Sequence, residues 1–354
     1  MAEAVKEKFS FRKFFGQFQL PTLIIGGFWI LILILGVTQG LSLPALLGDT
    51  IRRYGMWGVM VLAMVPSIQS GTGPNFALPI GVCCGLLAQV MAVQFDLYGM
   101  VWLLSAIGMA IIFASIIGYV YGKLMNAVKG SEMTIATYTG FAFTFLFCIV
   151  WMAAPFTSRH MGWLIGSGLR VTIDLSNVGA NQILNNIGFF RFLGIPIPTG
   201  MLLFFALCCF LVWLFFRSKS GIAISAVGMN PMFARASGLN VDRSRVYANM
   251  LSTVLAAIGI IMYSQSFGYA QLYDGPLMMA FQAVAAILVG GATAQRSKIF
   301  HVLLGTLIFQ GLLTNGPPVL GKLVPVADLT EILRMVLQNG IILYALTQVK
   351  GGGK

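Results

Sequence analysis

Asn230, Pro231 and Gly238 punctuate a short polar-flanked segment, and their spacing specifies a helix suited to docking. An asparagine before a helix can accept the first unpaired backbone N–H. A proline at the first helical position sacrifices no bond the helix needs. Met232–Ser237 then make about one and a half turns, and Gly238 offers the left-handed position that ends them. Across Asn230, Pro231, Met232, Phe233, Ala234, Arg235, Ala236, Ser237 and Gly238, the side chains of Met232, Phe233 and Ala236 form an apolar ridge while Arg235 stays polar. Such a ridge can enter a groove on another protein or lie on its own bundle, and the residues alone leave both open.

A second set can hydrogen-bond without carrying charge: Gln69, Ser70, Thr72, Asn75, Ser105, Thr137, Ser266, Gln282 and Asn315. Set among apolar runs, such groups can meet a neutral hydroxylated solute at no cost of a buried charge. Gln69, Thr72, Asn75, Phe76, Gln282 and Asn315 are read as lining a path. The six residues SGTGPN (Ser70–Asn75) break helical hydrogen bonding. They belong either to a broken segment beside that path or to a plain turn at the inner surface.

Covalent chemistry has little material. His160 and His301 lack ligand-spaced partners, and Cys83, Cys84, Cys148, Cys208 and Cys209 all lie in apolar runs. Neither a metal site nor a disulfide is expected. No nucleophile–base pair falls within the spans, and no GxxxxGK[ST] loop occurs to cradle a nucleotide. No catalytic residue is assigned, and no cofactor is expected in this chain.

The surrounding elements place these residues in a membrane. Of 354 residues, 58% are hydrophobic and 9% charged, and mean hydropathy is +0.88; soluble domains carry about 25% charged residues. The chain reads as an all-α integral membrane protein with about ten spans. These are Pro21–Val37, Tyr54–Ile68, Phe76–Val93, Leu97–Tyr121, Met133–Ala154, Met201–Phe216, Val246–Phe267, Leu277–Gly291, Ile299–Leu313 and Ile332–Leu346. With the N-terminus inside and the spans alternating, fifteen of the 22 Lys and Arg fall on the inner side. That bias puts both termini in the cytoplasm, so the net charge of +12 reads as an orientation signal and no nucleic-acid partner is expected. Residues 1–19 read as a cytoplasmic amphipathic lead-in, 20–349 as one polytopic domain and 350–354 as a cytoplasmic tail. Within the domain, 217–245 is an inner loop and 157–199 an outer one in which a short surface helix is expected. Asn315–Thr330, with three prolines, is expected to be a turn-rich outer connection.

GMNPMFARASGLNV (Gly228–Val241), AILVGGATA (Ala286–Ala294) and TLIFQGLLTNG (Thr306–Gly316) resemble the permease subunits of ABC importers of the ribose/galactose type. That family is shared at greater distance with branched-chain amino-acid permeases. SIQSGTGPNFALPIG (Ser67–Gly81) stands where the family has a Gly-Ile-Asp-Leu-Ser-type turn. The resemblance covers roughly Tyr54–Leu346 and is closest across Arg217–Gly291. It implies a type II bundle like that of the cobalamin importer, with Asn230–Gly238 as the coupling helix. It also implies a separate ATPase subunit carrying ATP and Mg, a second permease chain, an external solute-binding protein, and residence in the bacterial cytoplasmic (inner) membrane.

This chain departs from the family at Met232–Phe233, where a small pair is usual, and at Gly73, where an acidic residue is usual. Gln295–Lys298 replace further glycines. Either a heterodimer or a divergent homodimer accommodates these changes. The solute implied is a monosaccharide, with a nucleoside or a branched-chain amino acid as alternatives. A gradient-driven transporter would need intramembrane carboxylates that the spans lack.

Overall fold

The computed structural model describes residues 20–162 and 168–323, together with isolated helical positions between 332 and 343. The N-terminal lead-in and the C-terminal tail lie outside the described residues, as does most of the span expected at Ile332–Leu346. Among the described residues the chain makes nine antiparallel helical passes. The first three comprise α1 (Leu20–Thr38), then α2 (Leu43–Leu62) continued by the short α3 (Met64–Gln69), then α4 (Leu78–Gln94). After them come α5 (Gly99–Ala127) and α6 (Glu132–Ala153). A loop region carries β1 (Thr172–Asp174), α7 (Ile183–Asn186), β2 (Phe190–Phe192) and β3 (Ile195–Ile197). It leads into α8 (Thr199–Arg217), α9 (Lys219–Met229), α10 (Pro231–Ala236) and α11 (Val241–Phe267). Finally β4 (Tyr269–Gln271) precedes α12 (Gly275–Val289) and α13 (Ile299–Leu323).

Six of these helices (α1, α5, α6, α8, α11 and α13) are long and apolar enough to cross a membrane. Their exposed faces are apolar, as on α5 at Val101, Leu104, Ile112, Ile116 and Val120; in water such stripes would be costly, whereas in lipid they are the ordinary surface. The protein is therefore a multi-pass membrane protein. Two further apolar helices, α4 and α12, are shorter and buried along most of their length.

Two passes differ from the hydropathy reading. α2 begins at Leu43, ahead of the expected Tyr54, because Asp49, Arg52 and Arg53 depress local hydropathy without ending the helix. Arg52 donates to the Ser266 carbonyl at 2.6 Å, and the Arg53 guanidinium lies over the Phe267 ring. α13 continues through Pro317 and Pro318 to Leu323, where a turn-rich connection was expected. In a close-packed bundle, neighbouring groups can take over backbone partners that proline frees.

The helix ends form two clusters on opposite faces. At one, β1 pairs antiparallel with β4 in the register Thr172↔Gln271. β2 and β3 form a hairpin, and Gln94 donates to Thr157. Among the described residues of loop 157–199, helix is confined to a 3-10 turn at Ser176–Val178 and the single turn of α7, with short strands beside them. At the other face lie the Gly71–Asn75 turn, the 128–131 loop, α9, α10 and residues 290–298.

α11 runs between them as the most buried of the six long helices, 67% of its apolar window being inside the bundle. Its neighbours reach it through glycines. A methyl carbon on Gly122 of α5 would stand 2.8 Å from the Val246 Cα, and one on Gly85 of α4 would stand 3.0 Å from the Ala257 Cα. Small residues let helix backbones meet, which supplies the dispersion energy of packing where lipid offers no hydrophobic drive.

This seam is testable by thermal unfolding in detergent. Gly85→Ala should lower stability by about 1–3 kcal/mol through overpacking. Gly27→Ala on α1, whose methyl would meet nothing within 4 Å, should leave the midpoint unchanged or slightly higher.

Candidate functional site

The polar stretch between α8 and α11 folds as two short helices, of which the sequence reading had anticipated one. Ser218 starts α9, its hydroxyl accepting from the Gly221 N–H at 3.3 Å. Asn230 starts α10, its side-chain oxygen accepting from the Phe233 N–H at 3.0 Å, with Pro231 next. α10 ends at Gly238 with φ +80°. There Gly238 N–H donates to the Arg235 carbonyl and Leu239 N–H to the Ala234 carbonyl, the paired closure of a Schellman motif. Asn240 then caps α11, accepting from Arg243 N–H at 2.9 Å. Three side-chain or glycine stops in eleven residues, Asn230, Gly238 and Asn240, fix the shape of this hairpin.

Its two faces differ. Ala234 is buried with Val227, Val241 and Leu239. Outward, Met229 is 74% exposed, Met232 84% and Phe233 69%, a ridge bordered by the exposed cations Lys219, Arg235 and Arg243. Ala236 is exposed beside it. Met229 was missed in the sequence because it falls before the cap, where no helix was anticipated.

The hairpin is seated on the Gly71–Asn75 turn without a side chain between them. A methyl carbon on Gly228 would stand 2.8 Å from the Gln69 carbonyl carbon and 3.0 Å from the Gly71 nitrogen. Gln69 ties the contact from below: its Nε2 donates to the Ser297 carbonyl at 2.9 Å, and its Oε1 accepts from Ser225 Oγ at 2.9 Å. One amide thus joins α3, α9 and the 290–298 loop.

Beneath it a buried polar network joins the turn to α11. Thr72 Oγ1 donates to the Ser67 carbonyl at 2.9 Å, and Ser67 and Thr72 both approach Asn249 Oδ1 at 3.4 Å. Asn75 Nδ2 donates to Ser252 Oγ at 2.8 Å, while Asn75 Oδ1 accepts from Ala77 N–H and Tyr121 OH. Ser252 Oγ donates to the Ala63 carbonyl at 2.6 Å, beside the break between α2 and α3. Charge fastens the same end: Arg245 pairs with Glu132 at 2.5 Å, both side chains largely buried, and Lys129 pairs with Asp242 at 2.6 Å in the open.

The six residues read as lining a path differ in burial and in the cavities they reach. Thr72, Asn75 and Asn315 are buried, Asn315 donating to Thr50 Oγ1 at 3.0 Å. Phe76 packs against Phe281 with ring centroids 5.9 Å apart. Gln69 borders a cleft of about 530 Å³ with Arg296, Lys298 and His301, and Thr72 borders another of about 280 Å³ with Glu132. Gln282 alone borders a cavity in the opposite half of the bundle, of about 300 Å³, with Arg53, Trp57 and Tyr263.

Comparison with known proteins adds an independent line. A profile of the family described as branched-chain amino acid transport system / permease component matches residues 46–346. The chain is 31% identical over 192 residues to the probable ABC transporter permease protein YphD of Escherichia coli (strain K12), covering 53% of this chain and 52% of that one. It is 25% identical over 305 residues to the ribose import permease protein RbsC of Bacillus subtilis (strain 168), covering 82% of this chain and 89% of that one. With the xylose transport system permease protein XylH of Haemophilus influenzae (strain ATCC 51907 / DSM 11121 / KW20 / Rd) it shares 28% identity over 173 residues, covering 48% and 41%. The first alignment thus spans about half the length of its relative.

Two measurements probe the hairpin and its fastening. Asn230→Ala should weaken α10 by about 1 kcal/mol, read as roughly fivefold faster amide exchange in Phe233–Ala236 with the global unfolding midpoint unchanged. Glu132→Gln should destabilise the fold by about 3 kcal/mol, because it leaves the Arg245 charge buried and unpaired. Adding Arg245→Met should recover most of that loss.

Proposed function

This chain belongs to the branched-chain amino acid transport system / permease component family, and from that membership we propose that it is the membrane-spanning permease subunit of an ATP-binding-cassette importer for a monosaccharide. The observation that carries the mechanical part is the capped α9–α10 hairpin, whose exposed Met229, Met232 and Phe233 ridge leads directly into the central helix α11. An apolar ridge on a rigid pivot is suited to a groove on a partner. That partner is an ATPase subunit, which binds ATP and Mg and hydrolyses the nucleotide; this chain is a transport subunit and carries no catalytic residue. The choice of a monosaccharide rests on relatives named for ribose and xylose import.

The working assembly contains two permease chains, as homodimer or heterodimer, with ATPase subunits beneath and a solute-binding protein above, in the bacterial cytoplasmic membrane. The hairpin end faces the cytoplasm, because Lys123, Lys129, Arg217, Lys219, Arg235, Arg243, Arg245, Arg296 and Lys298 gather there. With a tenth pass through Ile332–Leu346, both termini return to that side, and the bundle is of the type II, cobalamin-importer kind. Residues 1–19 and 350–354 are then cytoplasmic, 217–245 is the coupling loop, and 157–199 faces the binding protein.

In this reading the residues Asn230–Gly238 are the coupling helix. Closure of the ATPases shifts the hairpin; Gly228 presses the Gln69–Gly71 backbone, and α11 carries the displacement through Asn249 and Ser252. The path runs by Gln282 on the outer side and by Gln69 and Thr72 on the inner. Asn75, Phe76 and Asn315 hold the helices around it.

The decisive measurement is ATPase turnover of the reconstituted complex. Phe233→Asp and Arg235→Glu should each lower binding-protein-stimulated turnover by at least about tenfold, since a charged or reversed ridge loses its groove. Unchanged turnover would sink the coupling assignment. Uptake of leucine in place of any monosaccharide would move the solute to the amino-acid branch.

A further inference from the structure

Arg53 is half-buried on α2, close to the C-terminal end of α11. Among the described residues its guanidinium makes no ion pair; it lies 5.8 Å from the Phe267 ring centroid. A half-buried guanidinium with no carboxylate at ion-pair distance keeps its donors available to a ligand. Arg53 also borders the cavity of about 300 Å³ between α2, α11, α12 and α13, whose other walls include Trp57, Tyr263, Gln282, Gln310 and Thr314. That volume is at the lower end of those that hold small ligands, about 300–1,000 Å³.

Two more observations point to a ligand. Gln310 lines the cavity while only 3% exposed, and its amide nitrogen is packed among protein atoms with no hydrogen-bond partner; turning that nitrogen into the cavity toward an acceptor would satisfy it. Trp57 is 5% exposed and meets Tyr263 edge-on, with centroids 5.5 Å apart at 75°, so the cavity has a rigid aromatic wall. A flat aromatic face, a forked cationic donor and two carboxamides are complementary to a pyranose or furanose ring. The ring's C–H face lies on the indole, two neighbouring hydroxyl oxygens accept from the guanidinium fork, and the amides both donate and accept.

We propose that the cavity bounded by Arg53, Trp57, Tyr263, Gln282, Gln310 and Thr314 is a recognition subsite for a neutral monosaccharide within the permease. The proposal rests on the monosaccharide reading above and adds where, and through which groups, the chain itself discriminates. It makes the permease a second checkpoint after the binding protein. It also places the checkpoint against Tyr263, one turn from the outer end of the helix that the hairpin moves.

The test uses the full complex, with its ATPase, both permease chains and its binding protein, in proteoliposomes. The five native cysteines are replaced by alanine and Thr314→Cys is introduced. Alkylation of the new thiol by a charged maleimide is timed with and without millimolar D-ribose, D-xylose or D-galactose, and uptake of each radiolabelled sugar is measured in parallel. At least one transported sugar should slow alkylation fivefold or more. Adding Arg53→Ala should abolish that protection, and adding Phe233→Asp should reduce uptake while leaving protection intact. Equal alkylation rates in a complex that still takes up the sugar would overturn the subsite and spare the permease reading. No uptake of any of the three by the unsubstituted complex would overturn the monosaccharide reading and the subsite with it.

Discussion

Backbone-to-backbone contact along α11 is the constraint from which the architecture follows. Glycines of α4 and α5 let this helix sit against its neighbours with almost no side chain between. Lipid tails are as apolar as leucine, so nothing but close packing and internal hydrogen bonds favours one arrangement over another. A helix held so tightly moves as a rod or not at all. Everything of functional interest is attached to that rod: the hairpin at one end, the Asn249–Ser252 polar network in the middle, Tyr263 and the β1–β4 ladder at the other.

The same logic explains why the polar groups are where they are. Ser67, Thr72, Asn75 and Ser252 surround the break between α2 and α3, where Ala63 has lost its regular partner and accepts from Ser252 instead. In a low-dielectric interior each such group is costly alone and stabilising once satisfied. The network therefore specifies one seating of the Gly71–Asn75 turn, and with it one seating of Gly228. Gln69 extends that seating to the 290–298 loop, so the hairpin rests on three elements at once. The Arg245–Glu132 pair closes the same end from the side of α6. Fastened on both flanks, the hairpin is held against α11 by several elements at once.

Much was legible in the residues themselves. Composition settled the membrane class, because 9% charge leaves no water-facing shell for a soluble domain of this size. Local rules gave α10 almost to the residue, since Asn230, Pro231 and Gly238 act through bonds that span three or four positions. The resemblance to permease families is legible in that same segment and the apolar runs after it. Hydropathy windows failed where charge sits inside a helix, at Asp49–Arg53, and where proline does not end one, at Pro317–Pro318; at the first, Ser266 and Phe267 of α11 take up the two guanidinium groups.

Tertiary structure alone decided which polar residues work as a set. A sequence lists Asn75 and Asn315 as candidates equal to Gln282, but only packing shows those two bonded to partners up to 265 positions away and Gln282 beside a cavity. Arg53 carried no signal as a lining residue, because its neighbours Trp57, Tyr263 and Gln310 belong to three different passes. Hydrogen-bond punctuation is short-range and is written locally, whereas cavities are the space left between helices far apart in the chain; so the short helix α10 could be read from the letters and the cavity only from the fold.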